Sequence, residues 1–306
     1  MTAVISSVQA PETVVMVRPH HFISNPETMD DNAFQNRLVD NNSTLSKKAF
    51  SEVTIAVEKL RTRGVNVHLF EDKSKQTPDA VFPNNWFSVH HNGHLIKYPM
   101  YAENRRLEYR QDIVDFVIRT YGIEQQIDLR KYSSDGVYLE GTGSIVFDHT
   151  NKMAYACRSK RTNENLLNIV CDKLGYNPVI FDAFNSNGVP VYHTNVLMCM
   201  GTDFVMISLD MIAEYDKARL VNIFDNNNQK VIALTEHQIE HFCGNAIELQ
   251  GSYDLLLALS QTAYDTLTTS QKQDLENFVA LVPLNVPTIE SAGGSVRCMI
   301  AGIHHA

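Results

Sequence analysis

No stretch of this 306-residue chain approaches the run of about 18 apolar residues that a membrane helix needs, so no membrane partner is expected. There is no Lys/Arg block either. Its 26 basic residues are outnumbered by 35 acidic ones, for a net charge of −9, which argues against nucleic acid as a partner. The start, MTAVISSVQAPETVV, lacks the positive charge and continuous apolar core of a secretory signal. The five cysteines are odd in number and contain no CxxC, so a disulfide framework is not indicated and a reducing cytoplasm is the expected setting. Cys157, Cys171, Cys199 and Cys243 sit among apolar neighbours and read as small buried filler. No Pro- or Ser-rich linker and no low-complexity segment divides the chain.

What is present is a faint internal period. HTNVLMCMGTDFVMISLD, from His193, and CGNAIELQGSYDLLLALS, from Cys243, each show Asn, five residues, Gly and then an apolar strand. Their asparagines, Asn195 and Asn245, are 50 residues apart. Looser copies begin at Glu140 (EGTGSIVFDHTNKMAYACR) and Pro83 (PNNWFSVHHNGHLIKYP). The cysteine-bearing stretch ESAGGSVRCMIAG supplies a fifth unit, completed by the N-terminal strand VVMVRPHHF. Each unit reads as a strand, a turn and a second strand.

Helices fall between these pairs. Leu45 to Arg63 carries Ala49, Phe50, Val53, Ala56, Val57 and Leu60 on one stripe and stops at Gly64. A second runs from about Asn163 to Leu174, and a third from about Ser270 to Ala280, opened by Ser270 and Gln273 as a capping pair. Strand pairs alternating with helices at this period predict one closed, pseudo-symmetric α/β domain over residues 1–306, although length alone would suggest two. Closure would bring equivalent unit starts to a common axis. At those starts stand Asn85, Glu140, His193 with Asn195, and Cys298.

An acid, an imidazole and a thiol from three units are the parts of nucleophilic catalysis. A cysteine of ordinary pKa, about 8.5, is mostly protonated at neutral pH, and Arg297 or a cationic His193 would favour the thiolate. Each residue also has an ordinary explanation: a cysteine near an apolar tail is usually core, a histidine before Thr-Asn often serves a turn, and a glutamate after Tyr-Leu often ends a strand. Composition and spacing leave catalysis open.

GGSVRCM, YLEGTGS, YHTNV and FPNNWFSV occur in the order found in the guanidine-modifying, or pentein, superfamily, which the chain resembles from VRPHHF to Cys298. The resemblance is nearest to its amidinotransferase-like, citrulline-utilisation hydrolase branch. It implies a five-bladed α/β propeller with a central active site. By the same resemblance Cys298 is the nucleophile, His193 the general acid/base, and Glu140 the acid that bonds the histidine or the substrate nitrogens. RSKRTNENL is similar to a Ser-x-Arg-Thr segment of the family, making Arg161 the candidate anchor for a substrate carboxylate.

Arginine deiminases of the superfamily carry aspartates where this chain has Asn85 and Asn195. Two amides in place of two carboxylates remove negative charge and add N–H donors, so the sequence favours a neutral ureido group, as in citrulline, over a guanidinium. Alternatively these asparagines cap turns and another carboxylate, such as Asp135, binds a guanidinium. The expected activity is hydrolysis of citrulline to ornithine, carbon dioxide and ammonia through an S-carbamoyl enzyme, a step in arginine metabolism. The alternatives are an amidinotransferase, an arginine-deiminase-type enzyme, and a non-catalytic binding module of the same fold. Oligomeric state is not legible.

No cofactor motif is found. HQIEH, from His237 to His241, fits a metalloprotease pattern, but Thr235 and Gln238 mark the start of a short solvated helix, and no metal is expected. The pairs His20-His21, His90-His91 and His304-His305 have no ligand spacing. GTGS at Gly141 opens no helical pattern, and FNSNG, Phe184 to Gly188, reads as a mobile segment over the site.

Overall fold

A computed structural model of the chain describes residues 7–29, 34–35 and 42–305. Its fifteen strands fall into five units of one design. In chain order the strands are β1 (Thr13–Pro19), β2 (Asn66–Asp72), β3 (Phe87–His90), β4 (His94–Lys97) and β5 (Gln125–Asp128). Then come β6 (Val146–Asp148), β7 (Met153–Cys157), β8 (Asn177–Phe181), β9 (Met198–Met200) and β10 (Phe204–Ile207). The last five are β11 (Lys230–Ala233), β12 (Ile247–Gln250), β13 (Leu255–Ser260), β14 (Ala280–Leu284) and β15 (Ala301–Ile303).

In every unit an inner strand pairs antiparallel with a middle strand, which pairs parallel with an outer one. β9-β10-β11, β12-β13-β14 and β6-β7-β8 form separate sheets. The other two units, β15-β1-β2 and β3-β4-β5, merge into one six-stranded sheet because β15 also meets β3 at Ile303 and Val89. The predicted completion of the cysteine unit by the N-terminal strand is therefore observed, with Thr13 opposite Ile303.

Parallel middle and outer strands need a crossover, and a helix supplies it each time: α1 (Asn42–Thr62), α2 (Gln111–Tyr121), α3 (Glu164–Leu174), α4 (Glu214–Asn226) and α5 (Thr269–Glu276). Along α1 the predicted stripe is realised. Leu45, Ala49, Val53, Ala56, Val57 and Leu60 are buried on one face, roughly 1.5–3 kcal/mol for each large aliphatic side chain. Asn163 caps α3 through the Leu166 N–H, and Gly175 ends it in the left-handed conformation. For α5 the capping pair is Thr268 and Gln271, not Ser270 and Gln273, and Ala280 already begins β14. Thr268 directly precedes the helix, so its hydroxyl reaches the orphan N–H groups of the first turn.

Each inner strand is preceded by a tight turn, and four of the five are short helical turns: Pro83–Asn85, Gly141–Ser144, Thr194–Leu197 and Val296–Met299. GTGS thus does form one helical turn, too brief to leave a periodic signature. All five cysteines are free and buried. Burial pushes the thiols of Cys157, Cys171, Cys199 and Cys243 up to about 12, the behaviour of inert filler. No helix among the described residues is long and apolar enough to cross a membrane.

Candidate active site

The short turns ahead of the inner strands deliver the expected residues to one buried pocket. Asn85, Arg161, His193 and Cys298 line it, together with Asp79, Arg105, Phe82, Tyr192, Gly293 and Gly294. Glu140 is fully buried behind the wall; its Oε2 accepts from Nε2 of His193 at 2.8 Å and its Oε1 from the Tyr101 N–H at 2.8 Å. Two guanidinium groups face the same carboxylate, Arg161 at 3.5 Å and Arg105 at 4.0 Å.

These neighbours set the protonation states. Burial alone would raise the Glu140 carboxyl, but Arg161, His193 and Arg105 outweigh it and hold the group well below the usual carboxylate range. His193 moves down, chiefly because burial disfavours its cation, with Arg161 and Arg105 adding to the effect against the pull of Glu140. The result is a neutral imidazole oriented by an ionised acid, the arrangement a general acid/base needs.

The sulfur of Cys298 is held by amides. Nδ2 of Asn195 and Nδ2 of Asn245 both donate to Sγ, each at 3.3 Å. Asn245 does more: its Oδ1 accepts from the Ser295 and Cys298 N–H groups at 3.1 and 3.4 Å, and its Nδ2 also reaches the Asn195 carbonyl at 3.0 Å. The two N–H groups converge on the sulfur and fix its position. Arg297 makes no hydrogen bond to the sulfur, although the two groups interact electrostatically. Its guanidinium donates to the Ile300 carbonyl at 2.9 Å and lines a separate cavity on the other side of the turn.

The Gly-Gly pair now has a cause. Gly293 adopts φ +82°, a region closed to most L-residues, and its carbonyl accepts from the Tyr192 hydroxyl. A Cβ on Gly294 would lie 2.9 Å from the Phe82 ring. Upstream, Glu52 accepts from the Thr288 and Ile289 N–H groups and Glu290 from the Ser295 hydroxyl, which ties the cysteine turn to α1 and to its own base.

Two expectations fail on position. Asp135 is exposed at the end of the Arg130–Asp135 turn and does not line the pocket. Phe184 to Gly188 is ordered by Asn185, whose Oδ1 accepts from the Asn187 and Val189 N–H groups, and it borders another depression. Arg161 faces Glu140 and stacks near the Tyr192 and Tyr101 rings, 5.1 and 5.7 Å from their centroids.

Asn245, Asp79 and Arg105 were not anticipated as site residues. Arg105 grips Glu108 through two hydrogen bonds, Nε to Oε1 at 3.0 Å and Nη2 to Oε2 at 2.9 Å, and stands 3.7 Å from Asp79. Asp79 Oδ2 accepts from Asn25 at 2.7 Å. Three buried acceptors of the site have no partner among the described residues: Oδ1 of Asp79, of Asn85 and of Asn195. Asn245 had a signal, its 50-residue offset from Asn195; Asp79 and Arg105 lie outside the repeat and had none.

The HQIEH segment begins with the expected capping box of Thr235 and Gln238, and Nδ1 of His241 contacts the His237 carbonyl at 2.7 Å.

No curated protein matches the chain. Among solved structures it is similar to the N-terminal domain of ArgZ, an arginine dihydrolase from the ornithine-ammonia cycle in cyanobacteria, captured with its substrate. The TM-score is 0.73 at 15% identity, over 95% of this chain and 97% of that one. Unliganded AgrE matches with a TM-score of 0.70 at 16% identity, over 95% of this chain and 39% of that chain. A dimethylarginine dimethylaminohydrolase variant, an adduct with S-methyl-L-thiocitrulline, gives 0.64 at 16% identity, over 95% and 99%. Likeness at these identities is one of fold. The model of the family described as N,N dimethylarginine dimethylhydrolase, eukaryotic, matches residues 18–305. With nearly its whole length matched, the chain belongs to that family, within the guanidine-modifying superfamily.

Proposed function

We propose that this protein is a cysteine-dependent hydrolase that cleaves a C–N bond in a small guanidino or ureido compound. One observation carries the reading: the Cys298 sulfur, backed by two amide N–H groups, shares a buried pocket with the His193–Glu140 pair. A binding module has no use for such a thiol.

The Cys298 thiol passes its proton to His193 as the sulfur adds to the central carbon of the head group, forming a C–S bond. His193 donates a proton to the departing nitrogen as the C–N bond breaks. A water then loses its proton to His193 and attacks the carbon, the C–S bond breaks, and the thiolate returns. Glu140 keeps the imidazole oriented and stabilises its cationic form, while Arg161 and Arg105 keep Glu140 ionised.

The first reading is a guanidino substrate. Three unpartnered acceptors, Oδ1 of Asp79, Asn85 and Asn195, call for N–H donors, and a guanidinium offers only donors. Burial raises the Asp79 carboxyl, and an incoming cation beside it would draw it back to the ionised form. The ureido reading, citrulline to ornithine, carbon dioxide and ammonia, rests on the amides at Asn85 and Asn195 and on the arginines already facing Asp79 and Glu140. The names of similar proteins, an arginine dihydrolase and a dimethylarginine dimethylaminohydrolase, speak for the guanidino head group. The five units are taken as blades of one closed ring over residues 1–306.

A panel of arginine, dimethylarginine and citrulline, scored for ornithine, citrulline, ammonia and dimethylamine, tests this. Turnover of a guanidino substrate is expected, and its loss by at least about a thousandfold in Cys298→Ala. Turnover of citrulline alone would select the ureido reading. Retained activity in Cys298→Ala would remove the mechanism, and product formation only with an acceptor amine would make the enzyme an amidinotransferase.

A further inference from the structure

The repeat that assembles the pocket at the starts of the inner strands also acts at their other ends. The residue directly after β3, β6, β9, β12 and β15 is His91, His149, Gly201, Gly251 and His304 respectively. Three units thus present an imidazole at one equivalent position, and the three rings meet. One ring nitrogen from each of His91, His149 and His304 lies within 4.8 Å of the others. The His149 and His304 ring centroids are 3.8 Å apart, with His91 at 5.1 Å from His304 and 5.7 Å from His149.

His149 and His304 each have a nitrogen to spare, whereas both nitrogens of His91 face carbonyls. His149 Nδ1 bonds the Tyr176 hydroxyl at 2.7 Å, which leaves Nε2. His304 is engaged with the Val8 backbone, yet its Nδ1 is buried without a partner. His91 sets Nε2 against the Val8 carbonyl at 2.9 Å and Nδ1 against the His305 carbonyl at 3.3 Å. A neutral imidazole has one N–H, so the second contact points a lone pair at an oxygen. His149 and His304 thus show the support of metal-ligating histidines, an orienting bond on one nitrogen with the other open, and His91 would join them by turning that unfavourable lone pair from the His305 carbonyl toward the ion.

We propose that His91, His149 and His304 form a binding site for a divalent transition-metal ion of the zinc class, at the opposite end of the inner strands from Cys298. Tetrahedral Zn–N bonds of about 2.0–2.1 Å set their nitrogens about 3.3 Å apart, so ring movements of the order of 1 Å close the triad. Water or a neighbouring group takes the fourth position. The length of β15, about 10 Å at strand rise, lies between Cys298 and His304, and the two line different cavities, so this site is separate from the thiol. Its role is to clip together three units, including the two joined by β15. The histidines are far apart in sequence, which is why no local ligand spacing exposed them.

The test uses the metal-stripped full chain carrying Cys298→Ser, which removes the thiol as a competing ligand, titrated with Co²⁺. The expected result is one equivalent bound with a tetrahedral visible spectrum lacking a thiolate charge-transfer band, displaced by Zn²⁺, and a raised Tm. His304→Ala and His91→Ala, both at half-buried rings, should each weaken binding at least tenfold while the far-ultraviolet circular dichroism is kept; His149→Ala should do the same if it folds. His237→Ala should bind as the parent does. No stoichiometric binding in the Cys298→Ser chain, or binding unchanged in both His304→Ala and His91→Ala, overturns the proposal.

Discussion

Asn245 grips Cys298 at both ends of one residue: its amide nitrogen donates to the sulfur at 3.3 Å and its amide oxygen accepts the Cys298 N–H at 3.4 Å. The side chain therefore fixes where the thiol stands and places an N–H donor against the sulfur. Asn245→Asp separates these tasks, since a carboxylate keeps the acceptor but sets a negative charge where the donor stood. We expect kcat to fall by roughly a hundredfold and iodoacetamide alkylation of Cys298 to shift to higher pH. An unchanged alkylation profile would show that the amide only braces the turn.

Gly143 occupies the place in its unit that Asn195 and Cys298 occupy in theirs, three residues ahead of the inner strand. A Cβ there would lie 2.8 Å from the His193 ring and 2.8 Å from Asn85 Oδ1. Gly143→Ala should displace the imidazole and lower kcat by about a hundredfold, the scale of a 1 Å misplacement, with little change in Tm. Wild-type kcat in this variant would contradict the role given to the His193 position.

Acid should unfold the protein partly through the Glu140–His193 pair. Both groups have folded pKa values below their unfolded ones, 4.5 and 6.5. In each case the unfolded chain takes up protons first as pH falls, so the stability they contribute is complete above about pH 6.5 and declines below it. The urea midpoint should fall from pH 7 to pH 5, and more shallowly in His193→Gln. The same downward shift of His193 places the acid limb of kcat/KM below pH 6.5. Equal slopes in wild type and variant would deny His193 a titrating role.

Asp79 is the acid that tests head-group charge. Asp79→Asn leaves the Arg105–Glu108 fork in place but removes a negative charge and one unpartnered acceptor. For a guanidino substrate we expect KM to rise about 10- to 100-fold, the loss of one charged hydrogen bond, with kcat less affected. A KM that does not move would favour the ureido reading.

Much of this was legible beforehand, because the repeat writes itself in apolar runs. The paired inner and middle strands, α1 and α3, and the joining of the C-terminal unit to VVMVRPHHF all follow from periodicity. The outer strands escaped notice for a physical reason. QQID of β5 is largely exposed, and KVIA of β11 is only four residues long and follows a helix, so neither carries an alternating pattern. Glu140, His193 and Cys298 sit at repeat positions and were found; Asp79 and Arg105 come from irregular segments before Pro83 and after Tyr101, where nothing in the local sequence announces burial. Asp135 was chosen for its charge, and charge alone does not say which way a residue faces.

Because β15 pairs with β1 on one side and β3 on the other, directly after the turn that bears Cys298, the sheet and the nucleophile are completed together. Only Met299 and Ile300 separate Cys298 from that joint, so any change that loosens the seam between the two units is passed to the sulfur through two residues of backbone.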